Sequence, residues 1–110
     1  MEQVFGTFIL SKKNNEYQGE YFNNHSTQFN DESIKIVDSP NLFQGTFETG
    51  WEEKGQQFIS DLTITLTDSV FHLNWTRVRK GTIEQNVLFT GRGIIKEGKL
   101  VAVYQMTKIK

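Results

Sequence analysis

The chain offers few side chains that could act as catalysts, and those few are scattered. It contains no cysteine, so a nucleophile would have to be a serine, threonine, lysine or carboxylate, and no Gly-x-Ser-x-Gly sequence is present. The two histidines, His25 and His72, stand apart in the sequence, and we assign neither to a metal site. We therefore identify no catalytic residues and no metal ligands, expect no cofactor, and favour a non-enzymatic protein.

Two acidic pairs are the remaining candidates for acid–base chemistry. They are Asp31 with Glu32, and Glu52 with Glu53. Both pairs lie in or near predicted loops, and adjacent residues of an extended chain point to opposite sides, so the two carboxylates of a pair do not converge. We interpret both pairs as parts of solvated turns.

Residues suited to binding are better represented. Phe71, Leu73 and Trp75 alternate along one run, and the same two-residue period places Arg77 on their face. A guanidinium at the rim of an apolar cavity is a suitable anchor for a carboxylate or sulfate head group, although Arg77 at a strand end could instead extend into solvent. The further candidate ligand-binding residues are aromatic: Trp75, Trp51, Tyr17, Tyr21 and Tyr104.

The elements that position these side chains are predicted to be strands. Ala102 is the only alanine and Pro40 the only proline, whereas β-branched and aromatic residues are frequent. Apolar residues and threonines alternate through residues 62–67 with a period of two, and no long window has a helical period. The sequence therefore predicts an all-β protein.

Polar clusters that contain glycine or asparagine divide the chain into eight candidate strands of similar length. Their approximate bounds are 3–11, 16–22, 28–37, 42–51, 56–67, 70–79, 83–95 and 99–109. The short connections leave no room for a crossover, so we expect an antiparallel up-and-down meander, closed into a barrel, as a single domain over residues 1–110. One bulge would exchange the inner and outer faces downstream of it.

Several strands contain glycine beside aromatic residues, a pattern that suits the tight bending of a small barrel. The segments Phe5-Gly6-Thr7-Phe8, Tyr17-Gln18-Gly19-Glu20-Tyr21 and Phe43-Gln44-Gly45-Thr46-Phe47 resemble, together with the hairpin over residues 89–104, the calycin-type barrels, especially the avidin-like meander. The resemblance implies a fold and no particular ligand. Lipocalins have Gly-x-Trp where this chain has Gly6-Thr7-Phe8, and we expect no biotin binding.

The first and last strands, which are neighbours in a closed meander, carry apolar residues that we expect on the outer face. They are Val4, Phe8, Leu10, Val101, Val103 and Ile109. Together these residues would form one exposed apolar patch, and such patches commonly mark a subunit interface. We therefore predict a homo-oligomer, with a symmetric dimer as the simplest form. The alternative is that a loop such as 23–31 covers the patch.

Charge and hydropathy exclude several other partners. The formal net charge is −1, which argues against nucleic-acid binding. No apolar run approaches the roughly 18 residues of a membrane span, and no signal region is visible, so we expect no membrane association and a cytoplasmic location.

These observations favour a binding protein that holds a small apolar or amphipathic ligand inside the barrel. The alternative is a structural or protein-interaction module whose barrel is filled by side chains and whose outer face associates. The two hypotheses differ in whether the lumen contains a cavity.

Overall fold

The computed structural model describes residues 3–109, which form nine β-strands. In chain order they are β1 Phe5–Lys13, β2 Glu16–Asn23, β3 Asn30–Asn41, β4 Gln44–Glu53, β5 Gln56–Thr67, β6 Val70–Lys80, β7 Ile83–Glu84, β8 Val87–Lys96 and β9 Lys99–Lys108. The predicted all-β architecture is confirmed, with the seventh predicted strand divided into β7 and β8. Within residues 3–109, no helix has the length and apolar character needed to cross a membrane.

The strands close into an antiparallel barrel. From β1 to β6 each strand pairs with the next, β6 pairs with β8, β8 with β9, and β9 returns to β1, where Phe8 lies opposite Ala102. The two-residue strand β7 extends the end of β6, with Ile83 opposite Lys80. The predicted eight-stranded closed meander is therefore confirmed, with β7 as an addition.

Three of the hairpins use two-residue turns in which both central residues have positive φ. They are Lys54 with Gly55, Asp68 with Ser69, and Glu97 with Gly98. This conformation matches the right-handed twist of the flanking strands, so short turns can join long paired strands without splaying them. The tight connections keep the register that determines which side chains face the interior.

The interior differs between the two ends of the barrel. At one end, here called the packed end, Tyr17, Phe43, Phe47 and Phe71 are buried against one another. The Phe43 N–H donates to the Tyr17 hydroxyl at 2.9 Å, so the buried phenol has a partner. The opposite end, here called the open end, contains both tryptophans and a cavity.

A bulge in β6 changes the direction of Arg77, and the predicted inward placement of this residue is wrong. Asp61 of β5 lies opposite Thr76 and Ile59 lies opposite Arg79, so two residues of β6 face the single residue between them on β5. Arg77 has φ 50°, and Val78, which is 2% exposed, takes the inward position. The Arg77 side chain is 63% exposed and its guanidinium lies 3.0 Å from Asp61.

The expected outer patch also needs correction. Phe8 and Leu10 are fully buried inside the barrel, because the inward residues of β1 are the even-numbered ones. Apolar side chains do occur on the outside near the junction of β1 and β9. Phe5, Phe22 and Val103 are exposed there and border a shallow groove, which we call the outer groove.

Candidate ligand-binding cavity

A cavity of about 650 Å³ occupies the open end of the barrel. All eight strands of the closed barrel, β1 to β6 with β8 and β9, and the adjoining turns contribute to its wall, so it is formed by the barrel interior. The side chains that line it are mostly aromatic or apolar, with a small number of polar groups. They are Val4, Phe8, Tyr21, Asn23, His25, Glu32, Trp51, Glu53, Lys54, Phe58, Trp75, Val78, Gln85, Val87, Phe89, Tyr104 and Met106.

Aromatic rings form a continuous wall around this cavity. Trp51 stacks on Phe58, with their ring centroids 5.7 Å apart, and meets Phe89 edge to face at 6.1 Å. Phe89 contacts Tyr104, and Tyr104 contacts Trp75, at 6.0 and 5.7 Å. Because each ring packs against its neighbour, the rings hold one another in place and present a preformed apolar surface.

One carboxyl group lies within this aromatic surface. Glu32 belongs to β3, is only 6% exposed, and accepts a hydrogen bond from the indole N–H of Trp75 at 2.9 Å. Burial disfavours the charged form and raises the pKa of Glu32 from 4.5 to about 7, although Trp75 and the hydroxyl of Thr49 oppose the rise. Near neutral pH this carboxyl can therefore either accept a proton or release one.

Two phenols share the cavity with Glu32. Burial, followed by a smaller electrostatic contribution from Glu32 and Glu53, raises the pKa of Tyr104 to about 12 and the pKa of Tyr21 further. Both side chains are therefore neutral hydroxyls at physiological pH, able to accept or donate hydrogen bonds. When ionised, Glu32 and Glu53 disfavour the negatively charged form of both phenols.

Asn23 connects the barrel wall to the turn at the rim. Its amide NH₂ donates to the Tyr104 hydroxyl at 3.2 Å, and its carbonyl oxygen accepts from the backbone N–H of His25 at 2.9 Å. The hydroxyl of Ser26 donates to the same oxygen. These bonds fix both the phenol and the residues that follow β2.

The structure brings together four of the six predicted ligand-binding residues. Trp51, Trp75, Tyr21 and Tyr104 all line the cavity. Tyr17 is buried at the packed end and does not line the cavity. Arg77 lies outside the barrel, where its guanidinium pairs with Asp61 instead of facing a ligand.

Glu32 was not identified as a site residue from the sequence, and its interpretation as part of a solvated turn is wrong. The signal was its spacing from Ile34, because both lie two residues apart on the inward side of β3. The predicted strand 28–37 already contained Asp31 and Glu32, so the two-residue period required one of the two carboxylates to face inward. Phe58, Phe89 and Asn23 were also missed as lining residues.

Comparison with known proteins gives no match. No protein-family model, curated protein or solved structure is significantly similar to this chain. Among residues 3–109, no three His, Asp or Glu side chains lie close enough together to hold a metal ion. The function has to be inferred from the cavity itself.

Proposed function

We propose that the protein binds one small apolar or amphipathic molecule in the open end of a calycin-like barrel, without catalysing a reaction. The observation that carries this proposal is the cavity of about 650 Å³ lined by aromatic side chains. Small-molecule sites have volumes in this range and combine an apolar wall with a few placed polar groups. Here Glu32, Tyr21 and Tyr104 supply those polar groups.

Unequal packing of the two barrel ends supports ligand binding over a filled structural barrel. An eight-stranded barrel can be filled completely by its own side chains, and at the packed end Phe43, Phe47 and Phe71 do so. At the open end the aromatic rings of Trp51, Trp75 and Phe89 surround space instead of filling it. Aromatic surface that is left around a cavity favours an apolar guest.

Filling the cavity is expected to abolish binding. Val87 and Ile94 both belong to β8, but Val87 lines the cavity whereas Ile94 is exposed on the outside. With the neutral fluorescent probe N-phenyl-1-naphthylamine, we expect saturable one-to-one binding, a loss of at least about tenfold in affinity for Val87→Trp, and no change for Ile94→Trp. Fluorescence titration measures both affinities.

The same titration can contradict the proposal. Both tryptophans of the chain line the cavity, so their emission should respond when the probe enters. If Val87→Trp binds the probe no more weakly than Ile94→Trp does, the probe binds outside the cavity. The absence of saturable binding to the wild-type protein would contradict the proposal. Val87→Phe, a smaller change, replaces the tryptophan variant if circular dichroism shows that Val87→Trp is unfolded.

We also propose self-association, now through the outer groove. Phe5, Phe22 and Val103 present exposed apolar surface beside the seam between β1 and β9. We expect the protein to be a dimer at micromolar concentration. Val103→Glu should dissociate this dimer, whereas Thr63→Glu, a substitution on the exposed face of β5, should leave it intact. Sedimentation velocity tests this, and a monomeric wild-type protein would contradict it.

A further inference from the structure

The charge inside the cavity has the opposite sign to the one expected from the sequence. The predicted anchor was the cation Arg77, but the charged group buried in the cavity wall is Glu32. Among residues 3–109, no lysine or arginine forms an ion pair with Glu32; the arginine ion pairs are those of Arg77 and Arg79 outside the barrel. A buried carboxylate with no lysine or arginine partner is costly, so a cation from outside would stabilise its charged form.

Other polar atoms of the cavity add to this acceptor character. The hydroxyl oxygens of Tyr21 and Tyr104 lie in the same wall, and Glu53 adds a second carboxylate at the mouth. The single lysine of the lining, Lys54, is an exposed residue of the turn between β4 and β5. The interior therefore offers a carboxylate and two hydroxyls, a set that complements hydrogen-bond donors carrying positive charge.

The aromatic wall suits the same kind of guest. Rings of Trp51, Phe58 and Phe89 form one side of the cavity, and Trp75 and Tyr104 form the side next to the carboxyl. The faces of aromatic rings attract cations, and tryptophan does so most strongly. A cationic head beside Glu32 and Trp75 and an apolar remainder against Trp51 and Phe89 would complement both chemical features of the cavity.

We infer that the ligand is an organic ammonium, whose protonated nitrogen donates to the Glu32 carboxylate while its apolar part packs against the aromatic wall. This inference rests on the proposed binding function and specifies the chemical class of the ligand. It replaces an anionic head group at Arg77 with a cationic head group at Glu32. Trp75 supports the carboxylate through its N–H.

Matched sets of ligands that share an apolar part and carry a cationic, neutral or anionic head group test the inference. We would compare 2-phenylethylamine, 2-phenylethanol and phenylacetate, and then octylamine, octanol and octanoate, by tryptophan fluorescence at pH 8. We expect each amine to bind at least about tenfold more tightly than its alcohol or carboxylate, since an ion pair with a carboxylate is added. Glu32→Gln should bring the amine to the affinity of the alcohol, whereas Arg77→Gln should leave all affinities unchanged.

The outcomes distinguish a failure of the ammonium inference from a failure of the proposed binding function. Alcohols or carboxylates that bind as tightly as amines would overturn the ammonium inference and leave the binding function standing. An amine preference that survives in Glu32→Gln would overturn the role of Glu32. If the two ligand sets and N-phenyl-1-naphthylamine all fail to bind, the proposed binding function is contradicted as well. If N-phenyl-1-naphthylamine binds and the two ligand sets do not, only the ammonium inference is contradicted. Glu32→Asp, which keeps the charge, should retain the amine preference and serves as the second variant.

Discussion

The free energy of unfolding of the wild-type protein is expected to decrease by about 3 kcal/mol more than that of Glu32→Gln as the pH rises from 4.5 to about 7. The reason is that the fold raises the pKa of Glu32 across that interval. In the unfolded chain this carboxyl ionises near its ordinary pKa. In the folded protein it stays protonated until the pH approaches 7. Glu32→Gln mimics the protonated acid and retains an acceptor for the Trp75 N–H.

The direction of the effect follows from proton binding. Between pH 4.5 and 7 the folded state binds a proton at Glu32 that the unfolded state has released. Stability therefore falls with rising pH across this window and stays constant, as far as Glu32 is concerned, above and below it. Most carboxylates in proteins behave in the opposite way, because partners lower their folded pKa.

Urea unfolding at half-unit steps from pH 4 to 9 would measure this difference. Other carboxylates are common to the wild-type protein and Glu32→Gln, so subtracting the two curves isolates Glu32. The neighbouring phenols Tyr21 and Tyr104 titrate well above the window and do not contribute. Parallel curves for the two proteins would show that the Glu32 carboxyl is solvated. That result would contradict its burial and argue against its proposed role in the cavity.

A protonated-amine ligand should change the same curve in the opposite sense. By stabilising the ionised carboxylate, the ligand would lower the pKa of Glu32 and offset the loss of stability above pH 7. A neutral ligand would stabilise the fold without lowering the pKa of Glu32. The pH profile thus connects the stability of the free protein with the chemical class of its ligand.

Local sequence signals predicted the strands well because turns and alternation are local properties. The residues that join β4 to β5, β5 to β6 and β8 to β9 all lie in predicted polar clusters, and the closed meander followed from their spacing. The aromatic part of the site followed too, because Trp51, Trp75, Tyr21 and Tyr104 alternate with outward residues in their strands.

The polar part of the site could not be predicted in the same way. A period of two carries Arg77 inward, but the single extra residue in β6 turns it outward and brings Val78 in, and such a bulge depends on the pairing with β5. Glu32 was assigned to a solvated turn because the pair Asp31 and Glu32 was placed in or near a loop. Its burial depends on Trp75, 43 residues away, whose N–H donates to it.

A row of inward positions explains how Tyr104 is held in the cavity wall. Gly6 of β1 lies opposite Tyr104 on one side and opposite Asn23 on the other, so the hydrogen bond from the Asn23 amide to the Tyr104 hydroxyl passes over Gly6. Gly91 of β8 flanks Tyr104 from the other direction. The absence of a side chain at both glycines leaves room for the phenol and for the bond that orients it.

Gly6→Ala is therefore expected to be strongly destabilising. A methyl group at residue 6 would overlap the carbonyl oxygen of Phe22 and lie 2.8 Å from the Cβ of Asn23, and a backbone oxygen in a paired strand cannot move aside easily. We expect a loss of about 3 kcal/mol, at the upper end of the range for overpacking, and a melting temperature lower by about 10 °C or more.

Thr7→Ala is the matched control, because Thr7 is the next residue of β1 and its side chain lies on the other face. It removes a β-branched residue without adding bulk and should lower the unfolding free energy by about 1 kcal/mol or less. Thermal denaturation followed by circular dichroism compares the two variants. Equal melting temperatures would mean that β1 can shift to admit a methyl group, and then Tyr104 would not be fixed by the glycines beside it. If Gly6→Ala still folds, it should also weaken amine binding, because the methyl group displaces the phenol that lies beside Glu32.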